Sequence, residues 1–283
     1  MTAEIISGKE VAQVIRQQLK EETGKLKQKG IVPGLAVILA GDDPASASYV
    51  RGKEKACRET GIHSTVDRVS ASISEEDLLG RIEELNQDPS IHGILVQLPL
   101  PDHISEHRVI DAISPLKDVD GFHPVSIGNM VIGRKAFLPC TPHGIIRMLK
   151  SKDIPIEGSH AVIVGRSNIV GKPVGQLLLN ENATVTYCHS RTKNMQEITK
   201  QADILIAAVG KKHFITADDI KEGAVVVDVG INRTEEGTLT GDVDFESVKE
   251  KAGYITPVPG GVGPMTITML LANTVQSAQE GAE

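Results

Sequence analysis

Short apolar runs alternate with amphipathic stretches along most of this chain. In the first half, apolar residues at helical spacing or in continuous runs predict six elements. The predicted strands are Gly34–Ala40, His63–Val69 and Ile91–Gln97, and the predicted helices are Gly8–Lys29, Ser46–Thr60 and Ser74–Asn86. This alternation favours an α/β domain with parallel strands.

The second half repeats the pattern with shorter strands. The strands are expected at Ala161–Val164, Thr184–Tyr187, Ile204–Val209, Val225–Val229 and Tyr254–Thr256. Helices are expected at Gly144–Ser151, from the Gly-rich turn after Val164 to about Leu179, and at Thr266–Ala278. Lys117–Pro124 is a loop by composition, and Phe137–Pro142 is interrupted by prolines. We therefore expect a domain boundary near residue 140 and a doubly wound parallel sheet after it.

Charge and composition narrow the classes of partner. The formal net charge is −7 without any Lys/Arg block, and Tyr and Phe total seven in a chain without Trp. Such a chain is a poor candidate for binding nucleic acid. No apolar run approaches the ~18 residues of a membrane span. Three scattered cysteines and the absence of a signal peptide favour a reducing cytoplasm and small-molecule substrates.

A Gly-rich turn follows the first strand of the second half. The apolar run ending at Val164 leads into Gly165-Arg166-Ser167 and a helix near Gly171. Backbone N–H groups at such a helix start favour an anionic group. The spacing departs from G-x-G-x-x-G because Ser167 replaces the second glycine, so an ordinary strand–helix turn stays an alternative. Its place in the first βαβ unit favours dinucleotide binding.

Two further local patterns carry candidate chemistry. Tyr49 and Lys53 stand four residues apart, hence on one helix face, where a desolvated lysine can act as acid or base. A solvated lysine beside a half-buried tyrosine is the alternative. His103–His107 matches H-x-x-E-H, but no third ligand is apparent, so no metal site is predicted.

Four segments together resemble one family. They are Tyr49–Lys53, Val96–Pro101 with Lys117–Gly121, Gly165–Pro173, and Pro257–Thr266. In this order they are similar to the bifunctional methylenetetrahydrofolate dehydrogenase/methenyltetrahydrofolate cyclohydrolases in their bacterial single-chain form. The resemblance covers nearly the whole chain.

The resemblance implies a fold and a reaction. Two α/β domains with a cleft between them are expected: a folate-binding catalytic domain over residues 1–139, on which the final helix (265–283) packs back, and a Rossmann-type NADP-binding domain over 140–264. The implied reaction oxidises 5,10-methylenetetrahydrofolate with NADP and hydrolyses the methenyl product to 10-formyltetrahydrofolate. The family also implies a homodimer.

The resemblance also implies roles for individual residues. Lys53 would transfer protons in the hydrolysis, and Gln97 would orient the Lys53 side chain by a hydrogen bond. Tyr49 would pack against the folate, and Asp120 would bind the pterin. The other folate contacts implied are Val96, Leu98, Pro259, Gly260, Gly261, Val262 and Gly263. The cofactor contacts implied are Gly165, Arg166, Ser167, Ser190 and Ile231.

The end of the second strand of the Rossmann-type domain favours NADP over NAD. NAD enzymes place Asp or Glu there to bind the ribose 2′-hydroxyl. Here Thr184–Tyr187 is followed by Cys188-His189-Ser190-Arg191, and the nearest carboxylate, Glu181, precedes the strand. Arg166 and Ser190 are the phosphate contacts that the resemblance implies, and Arg191 is a weaker candidate.

Three alternatives stay open at this point. A family member restricted to the dehydrogenase step would not need both Lys53 and Gln97. A non-catalytic NADP-binding regulator would not need Lys53 or Asp120. A hydroxy-acid dehydrogenase would need an arginine and a histidine, for which His123 and His143 are available without a matching pattern.

Overall fold

The computed structural model describes residues 2–234 and 236–281. Its contacts divide the chain into two compact units. Unit 1 contains Met1–Gln13 and Thr141–Thr266, and unit 2 contains Val14–Cys140 and Ile267–Glu283. The domain bounds implied by the family resemblance place the first 13 residues in the catalytic domain. They belong to unit 1 because Glu4 and Ile5 pair with Tyr254 and Ile255.

The strands and helices follow each other in the order expected for an α/β chain. The strands are β1 (Glu4–Ile5), β2 (Gly34–Ala40), β3 (His63–Val69), β4 (Gly93–Val96), β5 (His160–Val164), β6 (Thr184–Cys188), β7 (Ile204–Ala207), β8 (Val225–Asp228), β9 (Asn232–Arg233), β10 (Leu239–Thr240) and β11 (Tyr254–Ile255). The helices are α1 (Gly8–Gln28), α2 (Pro44–Thr60), α3 (Glu75–Gln87), α4 (Glu106–Ala112), α5 (Pro124–Val131), α6 (Cys140–Lys150), α7 (Gly171–Asn180), α8 (Met195–Thr199), α9 (Phe245–Val248) and α10 (Val262–Glu280), with a short 3-10 helix at Ala217–Asp219.

Unit 2 is built on a three-stranded parallel sheet in the order β3-β2-β4. All seven residues of β2 are buried, as a central strand requires. Apolar side chains of α3 and β4, among them Leu78, Ile82 and Ile94, are fully buried in one core with Ile38 of β2. This core fixes the end of β4, which Gln97 follows directly.

Unit 1 is built on a six-stranded sheet in the order β1-β11-β8-β7-β5-β6, with every neighbouring pair parallel. Strand β6 lies on one side of β5 and β7 lies on the other. The connections from β5 and β6 therefore leave in opposite directions, and ligands of such sheets bind at this switch point. The predicted parallel α/β architecture is confirmed.

Several elements differ from the prediction. The helix expected at Thr266 begins at Val262, because a proline such as Pro264 is tolerated within a first helical turn. The predicted loop Lys117–Pro124 is confirmed, but it leads into α5, which was not expected. None of the helices in the described part of the chain combines the length and apolar character needed to span a bilayer.

Candidate functional site

The first candidate site lies in unit 2, around the amine of Lys53. Helix α2 begins after Asp43, whose carboxylate accepts a hydrogen bond from the backbone N–H of Ser46. One turn separates Tyr49 from Lys53, and the Lys53 Nζ lies 5.0 Å from the centroid of the Tyr49 ring. The predicted same-face arrangement is therefore present, and the ring shields one side of the amine.

Gln97 follows β4 directly and holds the amine from another element. The Lys53 Nζ donates to Gln97 Oε1 over 3.0 Å, and Gln97 Nε2 donates to the carbonyl of Leu98 over 2.7 Å. The backbone N–H of Gln97 donates to Ile38 in β2. Because the NH2 group is used by Leu98, the amide oxygen faces Lys53.

Burial changes the acid–base character of this lysine. Lys53 is only 4% exposed, and burial lowers its pKa, while the negative charge of Asp120 opposes the shift. Burial likewise raises the pKa of Asp120, and Lys53 and a hydrogen bond with Cys140 oppose that shift. A lowered pKa makes it easier for this amine to release a proton, which suits a proton carrier.

The loop carrying Asp120 is held by its own backbone. Asp118 is buried, and its carboxylate accepts the N–H groups of Phe122 (3.2 Å) and His123 (2.9 Å). Gly121 has φ +77°, and a Cβ there would lie 2.6 Å from backbone atoms of Leu138 and Pro139. Only glycine permits this conformation and approach.

Asn273 of α10 also supports this loop, and the sequence analysis missed it. Its Nδ2 donates to the carbonyls of Val119 (2.8 Å) and Leu138 (3.0 Å), and its side chain is buried. A polar residue on the apolar face of a helix was the available signal. Through Asn273 the final helix thus contacts the backbone of Val119 and Leu138.

The second candidate site lies in unit 1, at the switch point between β5 and β7. Gly165 has φ +135°, and a Cβ would collide with the carbonyl oxygen of Ala208 after β7. Ser167 Oγ accepts the N–H groups of Val170 and Gly171, both at 3.2 Å, at the start of α7. Arg166 is exposed beside this turn.

The predicted phosphate contact Ser190 lies in a turn just after β6. The N–H of Thr192 donates to the carbonyl of His189, which leaves Ser190 and Arg191 exposed at the tip. Strand β6 ends at Cys188, and Gly165 N donates to the Cys188 carbonyl. The end of β6 thus offers the hydroxyl of Ser190 and the cation of Arg191, Arg166 adds a cation after β5, and no carboxylate follows β6 directly. Such a set of groups fits the phosphate on the ribose of NADP.

Ile231 is exposed just after β8, the strand next to β7. The carboxylates of Asp228 and Asp242 are buried behind this segment. Neither carboxylate is predicted from the sequence, although each stands next to glycine, in Asp228-Val229-Gly230 and Gly241-Asp242.

The predicted folate contacts Pro259–Gly263 belong to unit 1. Those at Val96, Gln97, Leu98 and Asp120 belong to unit 2. The carbonyl of Gly260 accepts the N–H of Lys9 over 3.0 Å. A Cβ at Gly8 would collide with the carbonyl of Gly261. The start of α1 thus fixes the backbone of this segment.

The remaining histidine and cysteine candidates have structural surroundings. Nε2 of His103 lies 2.8 Å from the carbonyl of Ile73, and His123 Nδ1 accepts the N–H of Val125. Burial lowers the pKa of His143 to about 4. Within the described residues no cluster of three or more His, Cys, Asp or Glu side chains could hold a metal ion. Cys57, Cys140 and Cys188 are buried free thiols.

Comparison with known protein families supports one of the functions that the sequence left open. Residues 6–120 match the catalytic domain described as tetrahydrofolate dehydrogenase/cyclohydrolase, and residues 139–282 match the NAD(P)-binding domain of the same family. The chain belongs to the tetrahydrofolate dehydrogenase/cyclohydrolase family. The resemblance noted in the sequence is confirmed.

Individual members of the tetrahydrofolate dehydrogenase/cyclohydrolase family match over the full chain. Bifunctional protein FolD of Halalkalibacterium halodurans is 66% identical over 99% of this chain and 100% of its own length. A crystal structure of the bifunctional FolD of Campylobacter jejuni is 53% identical, with a TM-score of 0.97 over 98% of this chain and 99% of that chain. The Trypanosoma brucei FolD, solved with NADP cofactor and inhibitor, is 38% identical, with a TM-score of 0.96 over 100% and 99%.

Proposed function

We propose that this chain oxidises 5,10-methylenetetrahydrofolate to 5,10-methenyltetrahydrofolate with NADP and then hydrolyses this product to 10-formyltetrahydrofolate. The buried Lys53 amine, held by Gln97 over 3.0 Å, is the observation that supports both steps in one chain. A dehydrogenase-only protein would not need this pair. A non-catalytic regulator would need neither Lys53 nor Asp120.

The oxidation needs orientation more than it needs a base. The bridging CH2 stands between two nitrogens, whose lone pairs expel the hydride as the methenyl cation forms. Acceptance of this hydride is the chemistry that bound NADP supplies. Tyr49 packs against the folate, and Asp120 accepts hydrogen bonds from the N–H donors of the pterin.

The hydrolysis needs a group that both takes and returns a proton. Water forms a bond to the bridging carbon while neutral Lys53 accepts its proton. The carbon–N5 bond then breaks, its electron pair goes to N5, and protonated Lys53 supplies the N5 proton. As that bond breaks, the carbinol oxygen forms the C=O bond of the formyl group on N10 and loses its hydroxyl proton, which is the one proton released overall. The lowered pKa of Lys53 supports this role because the neutral amine is needed first.

The cofactor contacts belong to the switch point of unit 1. Gly165 and Ser167 serve the phosphates at the turn after β5, Arg166 and Ser190 serve the ribose phosphate, and Ile231 packs against the cofactor. Contacts of Val96 and Leu98 with folate, and of Pro259, Gly260, Gly261, Val262 and Gly263 with ligands, stay predictions. So do the homodimer, the cytoplasmic location and the absence of nucleic-acid and membrane partners.

One assay tests both activities. Methylenetetrahydrofolate and NADP are mixed with the protein, and the absorbance of methenyltetrahydrofolate is followed together with that of NADPH. NADPH should form, and methenyltetrahydrofolate should decay faster than in buffer. NADPH formation with only the uncatalysed decay would restrict the protein to the dehydrogenase. Absence of NADPH would reject the oxidation.

A further inference from the structure

Two carboxylates are buried in unit 1 at the carboxyl edge of the sheet. Asp228 is 3% exposed at the end of β8, and Asp242 is fully buried just after β10. A buried carboxylate must be compensated, since its desolvation is costly. Here backbone N–H groups supply most of the compensation.

The carboxylate of Asp242 gathers three consecutive backbone donors. Its Oδ2 accepts from Val209 N (2.7 Å) and Gly210 N (2.9 Å), and its Oδ1 accepts from Lys211 N (2.8 Å). A fourth donor, Asn232 Nδ2, reaches Oδ1 over 2.9 Å. Successive N–H groups of this kind form an anion-binding concavity, and the protein fills it with its own side chain.

The residues that Asp242 holds border the proposed cofactor site on two strands. The loop Val209–Lys211 follows β7, where Ala208 N donates to Val164 O over 2.8 Å, immediately before Gly165. Asn232 follows Ile231 at the end of β8. One side chain therefore ties together the chain segments after β7 and after β8, beside the switch point.

Asp228 in turn fixes Asp242. Its Oδ1 accepts the N–H of Asp242 and of Gly230, and its Oδ2 accepts the N–H of Val243, all at 2.9 Å. A Cβ on Gly230 would collide with the Asp242 carboxylate. The position of the Asp242 side chain is thus determined by packing as well as by hydrogen bonds.

We propose that Asp242 is a positioning residue for NADP binding, because it holds the segments after β7 and β8 in the shape that the cofactor requires. The inference rests on the proposed function, since it concerns the same cofactor. It adds a buried residue that does not itself touch the cofactor. Replacing the carboxylate by an amide turns one acceptor into an NH2 group facing N–H donors, so the loop must move.

The test variant is Asp242→Asn, and the matched control is Asp219→Asn. Asp219 carries the same charge in the same unit, but it accepts bonds from Thr216 within its own turn and from Gln196. Hydrogen exchange of the ligand-free protein and separate titrations with NADP and methenyltetrahydrofolate are the readouts. We expect faster exchange at Val209–Lys211 and a Kd for NADP raised roughly 10- to 100-fold, because small displacements of binding groups cost this much.

Folate affinity should not change in Asp242→Asn, and Asp219→Asn should resemble the wild type in all three readouts. Unchanged exchange at Val209–Lys211, unchanged NADP affinity, or an equal loss of both ligands would each overturn the proposal. If Asp242→Asn does not fold, Asn232→Ala removes a single donor and should weaken NADP binding several-fold; no weakening would also overturn it. If the wild type does not bind NADP at all, the proposed function fails. Hydrogen exchange at Val209–Lys211 in the ligand-free protein then still decides whether Asp242 positions the loop.

Discussion

The amine of Lys53 lies 3.0 Å from the amide oxygen of Gln97, and the NH2 group of that same amide is used by the carbonyl of Leu98. Gln97 therefore presents an acceptor to the lysine and cannot present a donor without losing a hydrogen bond. Because the acceptor is neutral, it orients Lys53 without adding a charge that would favour the protonated amine.

Replacing Lys53 by methionine should abolish the hydrolysis and spare the binding of both ligands. In the proposed mechanism only the hydrolysis transfers protons through this position. The exposed Lys55 on the same helix provides the control variant Lys55→Met. Methenyltetrahydrofolate absorbance should persist beyond buffer decay with Lys53→Met alone. Full hydrolysis by that variant would remove Lys53 from the mechanism.

Replacing Gln97 by glutamate should move the pH profile of the hydrolysis upward. A carboxylate beside the amine favours the protonated form and raises the pKa of Lys53, whereas burial lowers it in the wild type. The rate needs the neutral amine, so its rise with pH should shift to higher pH. Gln18→Glu, at an exposed position of α1, makes the same charge change and should leave the profile in place. A profile that does not move in Gln97→Glu contradicts the coupling.

Replacing Asp120 by asparagine should weaken folate binding far more than NADP binding. Loss of a charge-assisted acceptor costs about 1.5–3 kcal/mol, or roughly 10- to 150-fold in Kd. Each ligand is titrated separately, with the exposed Asp102→Asn as control. An equal loss for both ligands would indicate a folding defect, and no loss would place the pterin elsewhere.

Replacing Arg166 by alanine should raise the KM for NADP by roughly 10- to 100-fold, the effect of one charge-assisted contact. The KM for NAD should hardly change, because NAD lacks the ribose phosphate. Lys200→Ala removes an exposed cation of the same unit and serves as control. If the wild type uses NAD as well as NADP, or if both suffer equally, Arg166 does not select the cofactor.

The stability of unit 2 should respond to the titration of Asp118. Burial raises the pKa of Asp118 to about 6 in the folded protein, above the value of 3.8 in an unfolded chain. The folded state thus binds this proton more tightly, and the stability it contributes below pH ~4 is lost as the pH rises to ~6.

The side chain in Asp118→Asn does not titrate, so the variant should not lose this contribution as the pH rises. The free energy of unfolding of the variant minus that of the wild type should therefore increase by up to about 3 kcal/mol between pH ~4 and ~7. Urea unfolding of both proteins at the two pH values measures this. A difference that does not depend on pH would show that Asp118 is ionised throughout the range.

Local pattern predicted much of the fold, because most elements carry their own signal. Strand β3 has the predicted bounds His63–Val69, and helix α3, predicted to start at Ser74, is capped by the Ser74 hydroxyl, which accepts the N–H of Asp77. Strand β1 was not predicted, since two residues become a strand only through pairing with β11. Hairpin β9–β10 was missed for the same reason.

In the candidate sites, too, contacts within one element could be predicted from the sequence and contacts between distant elements could not. The Tyr49–Lys53 contact follows from helical spacing alone. The Lys53–Gln97 bond joins residues 44 positions apart and depends on the packing of α2 and on where β4 ends. For Gln97 the family resemblance, and not its local sequence, supplied the role. The Asp242 contacts span as many as 33 positions, and no local signal predicts which backbone donors they reach.

The order of synthesis adds a consequence of the contact between Asn273 and the Asp120 loop. Val119 and Leu138 are translated early, but their partner on α10 emerges only after the whole of Thr141–Thr266, which belongs to the other unit. Unit 2 therefore begins folding first and is completed last. During translation this loop has no amide donor from α10, so the proposed pterin site at Asp120 lacks this support until unit 1 has been made.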